Sequence, residues 1–318
     1  MLARALRLSL ALEMALYFVL ARFACDASPA SAVAAAVAGV LVLRAVLTAL
    51  TYVLAWSHHS PAPRLSPVQA LRMVLGEYAA FVLSFVVIFP FERWWMRPDR
   101  LRASSGSAAP SCGARLPVLL VHGYGCSRAA WWWLRRRLEA AGWSVATISL
   151  EPIYTRIDDY LEPLARRIDA VLSESGAERV LLVGHSMGGL VARAYLQRFG
   201  AQRVARLVTL GTPHQGSRLA FVGFGANARQ MRPDSPWLRA LANPAPRVDT
   251  LVLYSPHDNF VVPQARLLLP GARSQAIGGV GHLAMLYSPR VASALLAALE
   301  PAVDAGVGAR RADLLEKG

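Results

Sequence analysis

The residues Gly184-His185-Ser186-Met187-Gly188 follow the apolar run Val180-Leu181-Leu182-Val183 and lead into a helix-compatible segment that ends near Phe199. A serine hydroxyl is a weak nucleophile. It needs a base beside it and hydrogen-bond donors where negative charge will develop. The G-x-S-x-G spacing between a strand and a helix serves the second need. The turn is so tight that side chains two residues before and after the serine would clash, so glycine stands at both places. The hydroxyl then sits at a helix N-terminus, where unpaired backbone N–H groups favour an anion. Ser186 is the candidate nucleophile, and the chemistry is attack on an acyl carbonyl through a covalent acyl intermediate. The alternative is a glycine-rich turn with an incidental serine.

In this strand–turn–helix context the acid and the base are expected after the serine, in that order. Asp258 lies in Tyr254-Ser255-Pro256-His257-Asp258-Asn259, just past an apolar strand. His282 lies in Gly278-Gly279-Val280-Gly281-His282, past the last predicted strand. Asp258 would orient His282 and stabilise its imidazolium. A turn-capping aspartate and a surface loop histidine are the alternatives. Asp249 stands at the wrong end of its strand, and Asp304 lies beyond the last helix. The run Val121-His122-Gly123-Tyr124-Gly125 ends the first strand of this region. A loop there can face the serine, so the oxyanion donors are assigned as the backbone N–H groups of Tyr124 and Met187. His122 precedes the nucleophile and reads as a packed structural residue, and His257 as a neighbour of the acid.

The elements that must position these groups are legible as alternating patterns. Strands are predicted at 117–121, 144–150, 179–184, 206–211, 249–255 and 273–279, and helices at 127–141, 158–173, 187–198 and 287–299. Continuous apolar strands separated by helices make a mostly parallel α/β sheet covered on both faces. Residues 218–247 are longer than a routine connection. With Phe221, Phe224, Met231 and Trp237 they read as a lid or as a packed helical crossover. Residues 96–115 read as a Ser/Ala/Gly linker to a catalytic domain at 116–300, and 301–318 as a frayed tail.

Residues 1–95 differ. Three apolar stretches, 5–24, 31–56 and 73–91, are each long enough to cross a bilayer, but each carries a charge: Glu13, Arg44 and Glu77. Inside a helical bundle Arg44 would be neutralised by Glu13 or Glu77. The region is expected to be a helical membrane anchor, with a soluble helical cap as the alternative. Arginines near the stretches give conflicting signals for orientation. The 318 residues carry a net charge of +14 with 55% hydrophobic residues, which together favour an anionic lipid surface over nucleic acid. No nucleic-acid module or zinc spacing is present, and no metal or organic cofactor is expected. Cys25, Cys112 and Cys126 do not make a disulfide framework, although Cys112 and Cys126 could pair.

The segments 118–125, 180–196, 207–217, 254–263 and 279–289 together resemble the bacterial triacylglycerol lipase group of the α/β-hydrolase superfamily. The resemblance covers about 116–299. It implies an α/β-hydrolase fold, with Ser186 as nucleophile, Asp258 as acid, His282 as base and Tyr124 and Met187 as oxyanion donors. It also implies that Thr212-Pro213-His214-Gln215-Gly216 lines the site, and that 218–247 corresponds to the lipase cap. The expected activity is hydrolysis of carboxylic acyl esters, lipids among them, at a membrane (in a bacterium, the inner one). Thioesterase, amidase and acyltransferase chemistry would use the same triad. A silent, membrane-tethered binding module is the alternative of another class. The N-terminal stretches depart from soluble secreted lipases, and oligomeric state is not legible.

Overall fold

The computed structural model describes the chain except residues 59, 61, 102–114, 243–246 and 301–318. The proposed Cys112 pairing, the tail and most of the proposed linker lie outside the described residues.

Helix α1 (Leu2–Val19) and helix α2 (Pro29–Trp56) form an antiparallel hairpin. Small residues let them approach: a Cβ on Gly39 would stand 2.6 Å from the Tyr17 ring. The Arg44 guanidinium closes a tight ion pair with Glu13 across the hairpin, the first of the two partners expected for it. Helix α3 (Pro67–Val82) starts six residues before the predicted apolar stretch. Ser66 caps it in a reciprocal capping box with Gln69, and Pro67 takes the first turn. Its run continues through π-helical and 3₁₀ turns into a short α4 (Glu92–Trp95).

The runs Pro29–Trp56 and Pro67–Trp95 are long and apolar enough to cross a membrane. The first stretch, with Arg4, Arg7 and Glu13 in one helix, does not join them, so two helices meet the criterion where three were expected. The α3 run is also not free to leave the rest of the chain. Ile88 and Phe89 are fully buried in the main core, and Ser84 Oγ lies 2.8 Å from Tyr287 Oη.

Six strands follow: β1 (Val118–Val121), β2 (Val145–Ile148), β3 (Val180–His185), β4 (Val204–Leu210), β5 (Asp249–Tyr254) and β6 (Arg273–Ala276). They form one parallel sheet in the order β2-β1-β3-β4-β5-β6. β1, β2 and β3 are buried along their whole length, as a sheet covered on both faces requires. On one face α5 (Trp132–Ala140) and α10 (Pro289–Leu299) pack through Leu134, Leu138, Val291 and Leu295. On the other face α6 (Leu161–Ser175) and α7 (Met187–Phe199) pack through Leu164, Ile168, Leu190 and Val191. Strand order reverses between β1 and β3, and the carboxyl ends of strands at such a switch point are where open α/β sheets bind ligands.

One expected boundary moves, and of the two readings of 218–247 the packed crossover describes residues 218–242. The linker does not begin at 96. Met96 is buried in the core. The Asp99 carboxylate accepts hydrogen bonds from Thr147 N–H at 2.7 Å and from Arg128, Arg135 and Arg167 at 2.7, 2.8 and 2.9 Å. Residues 218–242 are packed rather than free. They fold into a 3₁₀ turn, α8 (Gly225–Gln230) and α9 (Pro236–Leu241), with Met231, Leu238 and Leu241 in the core. Gln230 and Trp237 both donate to Asp158, at 2.7 and 2.9 Å. Phe221, Val222 and Phe224 stay exposed.

Candidate active site

Ser186 stands between β3 and α7 with φ 54° and ψ −126°. A side chain at positive φ is strained, and such strain persists only where the surroundings hold it. Here Ser186 N–H donates to Leu210 O at 2.8 Å. A Cβ on Gly188 would stand 2.1 Å from Val121 O, so only glycine lets the helix start this close to β1. The loop after β1 lies against the serine: a Cβ on Gly123 would be 2.8 Å from Ser186 Cβ. Tyr124 and Met187 thus flank Ser186 from the two sides, one on that loop and one at the first position of α7.

Asp258 and His282 lie on the loops after β5 and β6, and both are buried. His282 Nδ1 is 2.7 Å from Asp258 Oδ2. The other carboxylate oxygen accepts the N–H groups of Phe260 and Val261, both at 2.8 Å. The carboxylate is therefore fixed in place and keeps one oxygen for the imidazole. The Phe260 ring stacks on His282 at 5.0 Å between centroids, and the His185 ring lies 4.8 Å away on a tilt. Burial opposes charging of His282. The charge and hydrogen bond of Asp258, with a further contribution from Glu77, outweigh it and hold the imidazole above the ordinary histidine value. Among the described residues no hydrogen bond joins Ser186 Oγ to His282. Ligand-free sites often hold this pair loosely.

Three further histidines, His122, His214 and His257, are occupied. His122 Nε2 accepts Leu150 N–H at 2.9 Å, so Nδ1 carries the proton it donates to Gly123 O. Burial lowers it to about 4. His214 is buried between Arg193 and Thr209, and burial with the Arg193 charge holds it well below the ordinary value. His257 accepts Gly279 N–H and donates to Pro63 O. Cys126 is buried, which pushes its thiol up to about 12. Among the described residues no three His, Cys, Asp or Glu side chains converge as a metal site.

Sequence reasoning missed two groups here. Glu77 Oε1 and Oε2 accept the N–H groups of Leu283 and Ala284, at 2.9 and 2.8 Å. Asn259 Oδ1 accepts His282 N–H at 3.0 Å. For Asn259, adjacency to the acid was a signal. For Glu77 the signal was a carboxylate in an apolar stretch that needs a partner.

Residues 117–241 match the α/β hydrolase fold family. Over 116 residues the chain is 37% identical to triacylglycerol lipases of Pseudarthrobacter phenanthrenivorans and Burkholderia plantarii. These alignments cover 33% of this chain and 35% and 32% of the two lipases, so the chain spans about a third of the length of these relatives. The fold is similar to that of a lipase from Bacillus licheniformis in its mature form, with TM-score 0.54 and 20% identity over 64% of this chain and 99% of that one. By the order of its sheet, its strained serine turn and these likenesses, the chain carries the α/β-hydrolase fold.

Proposed function

We propose that this protein is a serine hydrolase of carboxylic acyl esters, in which Ser186, His282 and Asp258 act as nucleophile, base and acid. The observation that carries the reading is the buried Asp258–His282 contact on the strand ends beside a serine held at positive φ. His282 Nε2 takes the Ser186 proton as Oγ attacks the ester carbonyl. The N–H groups of Tyr124 and Met187 receive the oxyanion. His282⁺ then protonates the departing alcohol, and the acyl group stays on Ser186. Water, deprotonated by the same imidazole, releases the acid and restores the serine. Asp258 stays ionised throughout and stabilises the imidazolium.

Lipid esters are the favoured substrates. The curated relatives are triacylglycerol lipases. The exposed side chains of Phe221, Val222 and Phe224 form an apolar rim beside Tyr124, whose hydroxyl bonds both the N–H and the C=O of Phe224 at 2.8 Å. The apolar outer faces of α1 and α2 are the membrane-binding element, and the α3 run is a strut held against the domain. The test is turnover of p-nitrophenyl esters of increasing acyl length, with thioester and amide counterparts, by the full chain in detergent. Ester turnover that rises with chain length supports the reading. Turnover confined to thioesters or amides would reject it.

A further inference from the structure

We propose that Glu77, reaching in from α3, is a positioning residue for His282, which makes the N-terminal helices a working part of the hydrolytic site. The proposal rests on the reading of His282 as the base. Three consecutive backbone N–H groups, those of His282, Leu283 and Ala284, end on side-chain oxygens: Asn259 Oδ1 for the first and the two Glu77 oxygens for the others. The imidazole hangs from the first residue of this clamped run. The fit leaves no slack, because a Cβ on Gly281 would stand 2.4 Å from Glu77 Oε2 and 2.5 Å from Tyr52 Oη. Glycine before the histidine is what lets α2 and α3 come this close.

The acid loop is held from the same side. Asn259 Nδ2 donates to Thr51 Oγ1 at 2.8 Å, Ser60 Oγ donates to Pro256 O at 2.7 Å, and His257 Nε2 donates to Pro63 O at 3.0 Å. The loops bearing Asp258 and His282 are thus both fastened to the N-terminal region.

Glu77 is fully buried. Burying a carboxylate is costly, and a packing role would be filled by an apolar side chain. A carboxylate does two things here that leucine would not. It accepts two N–H groups, and where it is ionised (burial pushes it up to about 7, against the two N–H groups that lower it) it sets a negative charge near an imidazole that must become positive in each half-reaction. The charged and titratable groups facing His282 are Asp258 on its own side of the sheet, His185 beneath it and Glu77 from α3, with Tyr52 beyond Glu77. Among the described residues the buried Tyr52 hydroxyl has no hydrogen-bond partner.

The experiment compares full-length parent, Glu77→Gln, Ser186→Ala and His282→Ala in detergent, on a soluble ester, with sites counted by fluorophosphonate titration where Ser186 remains. Gln keeps the shape but turns an NH₂ toward one of the two N–H donors. Expected for Glu77→Gln is a kcat per titrated site lowered tenfold or more with KM nearly unchanged. The acid limb of kcat/KM should move down, because the charge that Glu77 carries where it is ionised, and that favours the imidazolium, is gone. A parental kcat and limb, with Ser186→Ala and His282→Ala inactive, would overturn the positioning role alone. So would a loss that disappears on normalising to titrated sites. Activity retained in Ser186→Ala or His282→Ala would instead overturn the underlying site. Should Glu77→Gln not fold, hydrogen–deuterium exchange of the 280–286 segment in the parent decides: protection of Leu283 and Ala284 is expected, and free exchange would refute the clamp.

Discussion

At the scale of the residue, the proposed site divides into groups assigned to react and groups that hold them. Ser186 occupies its strained turn for presentation, since its backbone bond to Leu210 does not use the hydroxyl. Ser186→Ala should therefore fold as the parent does and lose ester turnover by at least about 10³-fold, the oxyanion donors alone leaving a residue of catalysis. Undiminished turnover in the folded variant would remove Ser186 from the mechanism. The pH dependence follows from His282. As a base it works neutral, and Asp258 raises it, so kcat/KM should fall as pH drops through a midpoint above the ordinary histidine value of 6.5. Asp258→Asn removes the charge that favours the imidazolium. Its midpoint should move down and kcat should fall by about 10⁴-fold, whereas a limb that stays in place would mean another group sets it. The placement of Ser186, Asp258 and His282 on loops at strand ends, with Asp258 against His282, was legible because strand ends and chain order constrain it. Glu77 was not. The sequence placed it in an apolar helix and offered Arg44 as its partner, but Arg44 is taken by Glu13, and the true partners are backbone N–H groups some two hundred residues away, which carry no side-chain signature.

At the scale of the element, the parallel sheet was legible because continuous apolar runs such as those of β1, β3 and β5 have few other uses, whereas the edge strand β6 (Arg273–Ala276) is polar and exposed along its length. The ends were less so. Helices α2 and α3 begin at Pro29 and Pro67 behind the capping serines Ser28 and Ser66, a signature that lies outside the apolar stretch and is lost when only hydropathy is followed. Asp99 shows the opposite limit. In sequence it sits beside a Ser/Ala/Gly run, yet its nearly buried carboxylate ties β2 to three arginines from α5, α6 and the turn before α5. Asp99→Ala leaves those guanidiniums facing one another around an unpaired Thr147 N–H. It should cost about 3 kcal/mol, or about 6–12 °C in Tm for a domain of this size. Calorimetry or circular dichroism would read it. A Tm within a degree of the parent would show that the cluster is solvated and contributes little.

At the scale of the whole molecule, the question is what covers the outer face of the α1–α2 hairpin. Leu8, Leu12, Leu16 and Leu20 follow one another at four-residue spacing along the α1 run, and Val33 and Val37 do so on α2, all exposed. Scattered apolar side chains need no explanation, but a continuous stripe rimmed by arginines on a chain of net charge +14 fits an anionic bilayer. Deleting residues 1–95 is the wrong test, because Ile88, Phe89 and Glu77 belong to the fold and to the histidine loop. Substitution of the stripe is the right one. Leu8→Gln, Leu12→Gln and Leu16→Gln together withdraw three side chains worth about 5 kcal/mol or more of apolar burial, on the order of a thousandfold in partitioning. The variant should leave vesicles of mixed anionic and neutral lipid in a flotation assay while keeping parental turnover of a soluble short-chain ester, since the three leucines are exposed and belong to neither core cluster. Parental flotation would place the membrane contact elsewhere, and loss of a dimer in light scattering without loss of flotation would mean that a second copy of the chain covers the stripe.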